Sequence, residues 1–266
     1  MNSPSHGHDR LSALATAIEH IDGVTIYGRV IGVRGLLVEV AGPIGAMSLG
    51  GRVGIEIAPG TRVPCEVVGF SGDKALVMPF GGLDGVRRGC PVHVDRAQPG
   101  LRPTPAWLGR VVDALGRPVD GGPPLPQGDT LFAYRNDPPN AHKRRRVGRP
   151  LDLGVRALNT FLTCCIGQRM GIFAGSGVGK SVLLSMLARY AQADVNIIGL
   201  VGERGREVQE FLQEDLGPQG LARSIVVVAT SDEPALMRKQ AALTTLTLAE
   251  YFRDRGLQVM CLMDSV

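Results

Sequence analysis

Long apolar runs are missing from this 266-residue chain, and with no stretch of about 18 consecutive apolar residues a transmembrane helix is not expected. The first ten residues, Met1 to Arg10, are polar and hold no apolar core of the kind a secretory signal needs. Cysteine is scarce. The five present (Cys65, Cys90, Cys164, Cys165 and Cys261) are odd in number and follow no CxxC spacing, which argues against a disulfide or zinc framework and for a reducing, cytoplasmic setting. The five histidines form no HExxH and pair with no cysteine, so a metal centre of that type is not expected. Aromatic residues are only 5% of the chain, with Trp107 the single tryptophan, too few for an array that stacks on bases. Charge of one sign is also weak. The net charge is +4, and ten Arg and Lys against four Asp between Arg96 and Pro150 place +6 there, short of the broad basic field of a dedicated nucleic-acid binder.

What is there is an ordinary globular composition, 44% hydrophobic and 20% charged, enriched in glycine with 36 residues. Leu11 to Ile21 carries apolar residues at 11, 14, 15, 18 and 21, the spacing of a helix too short to be stable without a surface to dock on. From Val24 to about Val94 short β-branched runs alternate with glycine-centred turns (VTIYGRVIGV, GLLVEVAG, GRVGIEI, RVPCEVVGF, DKALVMPF), the pattern of a small β-barrel or sandwich. Cys65 and Cys90 fall in these runs and are expected to be small core hydrophobes. Residues 96–150 are rich in Pro, Gly and Arg. They hold one strand-and-turn unit, GRVVDALGRPVDG (109–121), and the charge run Lys143 to Arg146, expected to be a solvated face. From Leu151 helices and strands alternate, which implies a parallel sheet covered on both faces. Helices are expected at 154–166, 180–191, 206–216 and 234–253, and strands at 168–174, 195–201, 225–229 and 257–263. The domain plan is then 1–22, an N-terminal helix or tail; 23–95, a β-barrel; 96–150, a linker and entry; and 151–266, an α/β domain.

The chemistry concentrates in three places. Gly175-Ser176-Gly177-Val178-Gly179-Lys180-Ser181 lies between an apolar run and a helical one, the context of a phosphate-binding loop. Glycines let backbone N–H groups converge on phosphate oxygens, and the helix N-terminus adds positive potential. Lys180 would reach the β- and γ-phosphates, the Ser181 hydroxyl would coordinate Mg²⁺, and Val182 continues the loop into the helix. Ala174 stands where the general pattern has its first glycine. Glu203, in GERGRE (202–207) directly after a strand, falls on the edge where such sheets bind ligands and could orient a water, or else pair with Arg204 or Arg206. Asp264 closes the run LQVMCLM as a carboxylate that would hold the Mg²⁺ shell, or else form a strand-end helix cap with Ser265.

Three stretches carry a family resemblance: GRVVDALGRPVDG (109–121), PLDLGVRALNTFLTCCIGQRMGIFAGSGVGKS (150–181) and GERGREVQEF (202–211). The chain resembles the rotary-type hexameric ATPases, and among them the ATPases of flagellar and type III protein export. The loop AGSGVGKS is similar to the export branch, where Ala174 is ordinary. The resemblance implies an N-terminal six-stranded barrel and a RecA-like P-loop domain with a mostly parallel sheet. It implies a cytoplasmic homohexamer, peripheral to the inner membrane at the export gate, that hydrolyses ATP with Mg²⁺ and takes export substrates and their chaperones. Its N-terminal helix would bind a stator-like regulatory partner. Carried over by motif, Lys180, Glu203 and Arg204 are catalytic, Gly175 to Val182 bind nucleotide, and Ser181 and Asp264 hold the metal. Family members continue with more sheet, an arginine finger, an adenine-stacking aromatic and a helical domain. The chain is therefore expected to be a fragment, inactive alone, with its sheet incomplete at the C-terminus. The competing readings are an injectisome ATPase, the catalytic subunit of a proton-translocating ATP synthase, an RNA translocase, which the few aromatics of 24–94 disfavour, and a partner-binding fragment without catalysis.

Overall fold

The structure is a computed structural model that describes residues 26–264 except Arg96, Arg145 and Ser176. The helix expected over 11–21, and Ser176 of the loop, lie outside the described residues. The chain divides into two compact units, residues 1–97 and 98–266.

The first unit is a closed barrel of six strands: β1 (Tyr27–Arg34), β2 (Leu37–Ala41), β3 (Arg52–Ala58), β4 (Thr61–Ser71), β5 (Lys74–Pro79) and β6 (Pro91–Val94), ordered β1-β2-β5-β4-β3-β6. All ladders are antiparallel, and alternation decides what faces inward. Val38 and Val40 of β2 oppose Val77 and Ala75 of β5, and all four are buried. Val30, Val53, Ile55, Cys65, Val67, Cys90 and Val92 complete the interior. Cys65 and Cys90 are core residues, and burial pushes the Cys65 thiol up to about 12. The sixth strand is PVHV, a run too short to stand out by alternation; closure onto β1 and β3 defines it. The barrel is tightest where β1 passes the end of β2. A Cβ on Gly28 would lie 2.5 Å from the Ala41 carbonyl oxygen, and one on Gly42 would lie 2.6 Å from Gly28 Cα.

The second unit holds a four-stranded parallel sheet, ordered β12-β10-β11-β8, from β8 (Val111–Asp113), β10 (Val195–Val201), β11 (Ser224–Ala229) and β12 (Val259–Asp264). β7 (Gly100–Leu101) and β9 (Phe132–Ala133) form a separate antiparallel pair. Val195–Val201 and Ser224–Ala229 are nearly continuous apolar runs, as strands buried on both faces require. The helices are α1 (Arg156–Phe161), α2 (Lys180–Tyr190), α3 (Gly205–Glu210), α4 (Gly217–Ala222) and α5 (Ala235–Asp254). In α5 the buried face runs through Leu236, Gln240, Thr244, Leu248 and Phe252, one residue per turn. Gly256, at φ 84°, ends it, with its N–H on the Arg253 carbonyl and that of Leu257 on the Phe252 carbonyl.

Three elements differ from the sequence expectation. The helix expected over 154–166 stops at Phe161, because the backbone of 164–166 pairs with 148–151 (Leu151 N–H to Cys164 O, 2.8 Å; Ile166 N–H to Arg149 O, 3.0 Å). The run 168–174 takes no regular secondary structure and pairs with no described strand, and Phe173 is 97% exposed; apolarity alone cannot make a strand without a neighbour. Residues 211–216 widen into a π-turn, which brings Phe211 and Leu216, five apart, into the same core.

The 109–121 segment is tied down by charge. Asp120 accepts from Arg110 Nε (2.6 Å) and Nη2 (2.7 Å), and from the N–H groups of Gly122 and Val111 (3.0 and 3.1 Å). The Arg110 guanidinium first, then these N–H groups, hold its carboxyl well below the usual carboxylate range. A depressed folded pKa contributes stability that is present above the unfolded value of about 4 and lost as pH falls through that value toward the folded one. Asp120→Asn should therefore flatten the acid arm of the stability–pH curve below about pH 5, read by urea unfolding; an unchanged acid arm would reject this. In the barrel, Gly28→Ala should cost about 1–3 kcal/mol by overpacking. Gly81→Ala, whose Cβ meets nothing within 4 Å, should stay within about 0.5 kcal/mol of the parent.

Candidate phosphate-binding site

The site is built at the carboxyl edge of the parallel sheet, where strand ends and helix starts meet. Gly177 (φ 75°) and Gly179 (φ 94°) take left-handed backbone that an L side chain resists, and a Cβ on either would meet nothing within 4 Å. Backbone angle rather than crowding is what requires glycine there. Gly179 caps the start of α2 without a side-chain hydrogen bond. The opposite end of α2 is covered heavily. Arg223 donates through Nη2 to the carbonyls of Ala188 (2.7 Å) and Ala191 (3.2 Å) and through Nη1 to that of Ala193 (3.1 Å), and Asn196 Nδ2 donates to Ala188 (2.7 Å). A helix with a cation on its terminal carbonyls and no acidic cap on its first N–H groups offers those N–H groups to an anion.

Lys180 is the first residue of α2, and its Nζ donates to Asp264 Oδ1 and lies 4.0 Å from Glu203 Oε1. Register explains the convergence. Leu200 of β10 pairs with Asp264 of β12, so Asp264 and Glu203, three residues past Leu200, leave neighbouring strands at the same edge. Side-chain exposure falls from 29% at Lys180 to 19% at Glu203 and 5% at Asp264, so the pair sits at the wall of the site. The hydrogen bond to Asp264, then the nearby charges of Asp264, Glu203 and Glu207, hold the Lys180 amine above its ordinary value, against a smaller opposing effect of burial. The Glu203 turn is pinned to the neighbouring loop: Gly202 (φ 81°) donates to the Ala229 carbonyl (2.6 Å), and Ser231 N–H donates to the Glu203 carbonyl (2.9 Å).

Of the residues singled out in the sequence, Lys180, Glu203 and Asp264 come together. Gly175, Val178, Ser181 and Val182 are exposed along the loop and the first turn of α2. Arg204 is not drawn to the trio. It caps α3 from the position before Gly205, with a largely exposed side chain whose Nη1 lies 3.9 Å from Glu207 Oε1, and Arg206 lies 3.8 Å from Glu210. Asp264 and the Ser181 hydroxyl are hard oxygen donors of the kind Mg²⁺ takes, and one carboxylate with one hydroxyl suits an ion that keeps water and phosphate as its other ligands. No group of three or more His, Cys, Asp or Glu that could hold a metal occurs among the described residues. Arg223 and Asn196 were not legible as contributors; Arg223 lies far along the chain from the loop whose helix it anchors.

A glycine-turned loop opening a helix, with a lysine and two strand-end carboxylates facing it, defines a P-loop phosphate site. The chain belongs to the ATP synthase alpha/beta family: the family's nucleotide-binding domain matches residues 154–266 and its beta-barrel domain matches residues 30–93. A flagellum-specific ATP synthase of Caulobacter vibrioides is 55% identical over 256 residues, 96% of this chain and 58% of that protein. A type 3 secretion system ATPase of Xanthomonas euvesicatoria is 47% identical over 242 residues, 90% of this chain and 54% of that one. Among solved structures, the assembled ATPase EscN of enteropathogenic E. coli, in complex with its central stalk EscO, superposes with a TM-score of 0.81 at 40% identity, covering 90% of this chain and 57% of that one. The chain thus spans a little over half the length of these relatives.

Arg223 generates a test. Arg223→Met removes its three carbonyl contacts and should cost about 1–3 kcal/mol of unfolding free energy. Arg223→Lys keeps the charge but not the fork and should recover only part of it. Denaturant unfolding reads both, and a Met variant as stable as the parent would show that Arg223 does not anchor the helix.

Proposed function

We propose that this chain is the barrel and nucleotide-binding portion of an ATPase that hydrolyses Mg-ATP to drive export of flagellar or type III protein substrates. The observation that carries the reading is the convergence of Lys180, Glu203 and Asp264 on the glycine-turned start of α2. In it the N–H groups of 175–181 and the Lys180 amine hold the β- and γ-phosphates. Ser181 and Asp264 would hold Mg²⁺, which when bound would offset phosphate charge. Glu203 accepts a proton from, and orients, the water that attacks the terminal phosphorus. Arg204, at the start of α3, would act on the same edge only by turning away from Glu207. By the same reading the protein works in the cytoplasm as a ring of like subunits, peripheral to the membrane, with a stalk-like or stator-like partner; an assembled ATPase with its central stalk among the structural relatives supports this. No described helix is long and apolar enough to cross a membrane.

Mutation of the site separates its parts. Lys180→Ala should weaken Mg-ATP binding at least tenfold, because a charge-assisted phosphate contact worth more than about 1.5 kcal/mol is lost. Glu203→Gln, made in a chain extended to the length of its relatives, should leave binding within about threefold and lower phosphate release by roughly 10²–10⁴ relative to the equally extended parent. Equilibrium binding of a fluorescent ATP analogue and a phosphate-release assay are the measurements. Turnover by Glu203→Gln within twofold of the parent would sink the water-orienting role.

A further inference from the structure

Lys180 and Asp264 are bonded to each other, although each has a separate task in holding Mg-ATP. Asp264 is 5% exposed, at the end of a strand, and the Lys180 amine is its direct partner. The next carboxylate at this amine is Glu203, whose Oε1 is 4.0 Å from it, and Glu207 also bears on it by charge. Lys180, Asp264 and Glu203 together carry one net negative charge. Free nucleotide, to take Lys180, must draw the amine from Asp264, leaving a buried carboxylate uncompensated beside an incoming polyanion. Removing one partner from a buried pair is far more costly than the pair's own net worth suggests. Movement of Lys180 toward Glu203 does not relieve this, since Asp264 would still face phosphate alone. When nucleotide brings a divalent cation, Asp264 exchanges one cation for another as Lys180 moves to phosphate, and no buried charge is stranded.

We propose that the Lys180–Asp264 ion pair makes the site select the magnesium complex of the nucleotide over the free nucleotide, by forcing release of the lysine to coincide with arrival of the metal. The inference rests on the assignment of this edge as the site of Mg-ATP. It makes Asp264 a residue that opposes free nucleotide as well as one that holds metal. By linkage, metal and nucleotide then raise each other's affinity by one common factor, within the roughly 5–150-fold of ordinary couplings.

The experiment is a double-mutant cycle on the 266-residue chain, with mant-ATP fluorescence as the binding readout, in EDTA and in excess magnesium. Asp264→Asn should bind metal-free mant-ATP at least about tenfold tighter than the parent, and magnesium should improve its affinity at least about fivefold less. In EDTA, Lys180→Met should cost less than about threefold while Asp264 is present, because the lysine is already engaged. In the Asp264→Asn background the same change should cost at least about tenfold. Equal costs of Lys180→Met in the two backgrounds, or unchanged metal-free affinity in Asp264→Asn, would overturn the proposal. Circular dichroism and thermal unfolding check each variant. Asp264→Ser replaces Asp264→Asn should that variant not fold, and the single-variant comparison stands should Lys180→Met fail. Parent chain that binds mant-ATP equally with and without magnesium overturns the selection but leaves the nucleotide site standing. Parent chain that binds neither form overturns both readings.

Discussion

The parallel pairing of β10 with β12, from Val195 opposite Val259 to Leu200 opposite Asp264, is the constraint on which the site depends. Side chains alternate along a strand, so a slip of one residue would turn Asp264 from one face of the sheet to the other and take it from Lys180. The register is held by burial. Ile197, Ile198 and Leu200 of β10 and Leu262 of β12 are packed in the core, and Gly199 leaves room for Thr245, whose hydroxyl would lie 2.6 Å from a Cβ there. The same pairing fixes the spacing between Asp264 and the Glu203 turn, and the hydrogen bonds from Gly202 and Ser231 pin that turn to the end of β11. Two carboxylates therefore face the start of α2 through sheet geometry, with no loop free to set their distance.

Much of this was legible in the sequence, and the reasons differ by element. The barrel strands declared themselves as short β-branched runs between glycine-centred turns; in the fold Val38, Val40, Ala75 and Val77 are buried while Leu37, Glu39, Leu76 and Met78 beside them are half-buried. β10 and β11 declared themselves as unbroken apolar runs of strand length, bounded by Gly202 and by residues 230–232. The loop was legible because its glycines, lysine and serine fix a backbone shape as well as a charge pattern. What stayed hidden depends on partners distant in sequence. β8 is three residues long, and only its register against Val226–Val228 makes it a strand of this sheet. The run 168–174 has the composition of a strand but pairs with no strand among the described residues. The π-turn of 211–216 reflects where Phe211 and Leu216 must point, which local propensity does not encode. Glu203 was balanced in sequence between a role at the site and a pair with Arg204 or Arg206. The two arginines lie nearest Glu207 and Glu210 instead, while Glu203 stands 4.0 Å from Lys180.

The two ends of α2 show how the fold commits a short helix to one task. Eleven residues carry four terminal N–H groups and four terminal carbonyls that the helix itself cannot satisfy. At the C-terminal end the fold sets the guanidinium of Arg223 and the amide of Asn196 on the carbonyls, a charge-assisted arrangement that also favours the helix dipole. At the N-terminal end it places a left-handed glycine where serine or aspartate would ordinarily cap. An acidic cap would satisfy one N–H group but would set a negative charge where the proposed function brings phosphate. The carboxylates near Lys180, Glu203 and Asp264, are kept off the helix, on or just past strand ends across from it. The arrangement separates donors for an anion from acceptors for a cation, with a single lysine as the bridge between the two sets. That lysine is able to serve either side only because the sheet register holds Asp264 within its reach.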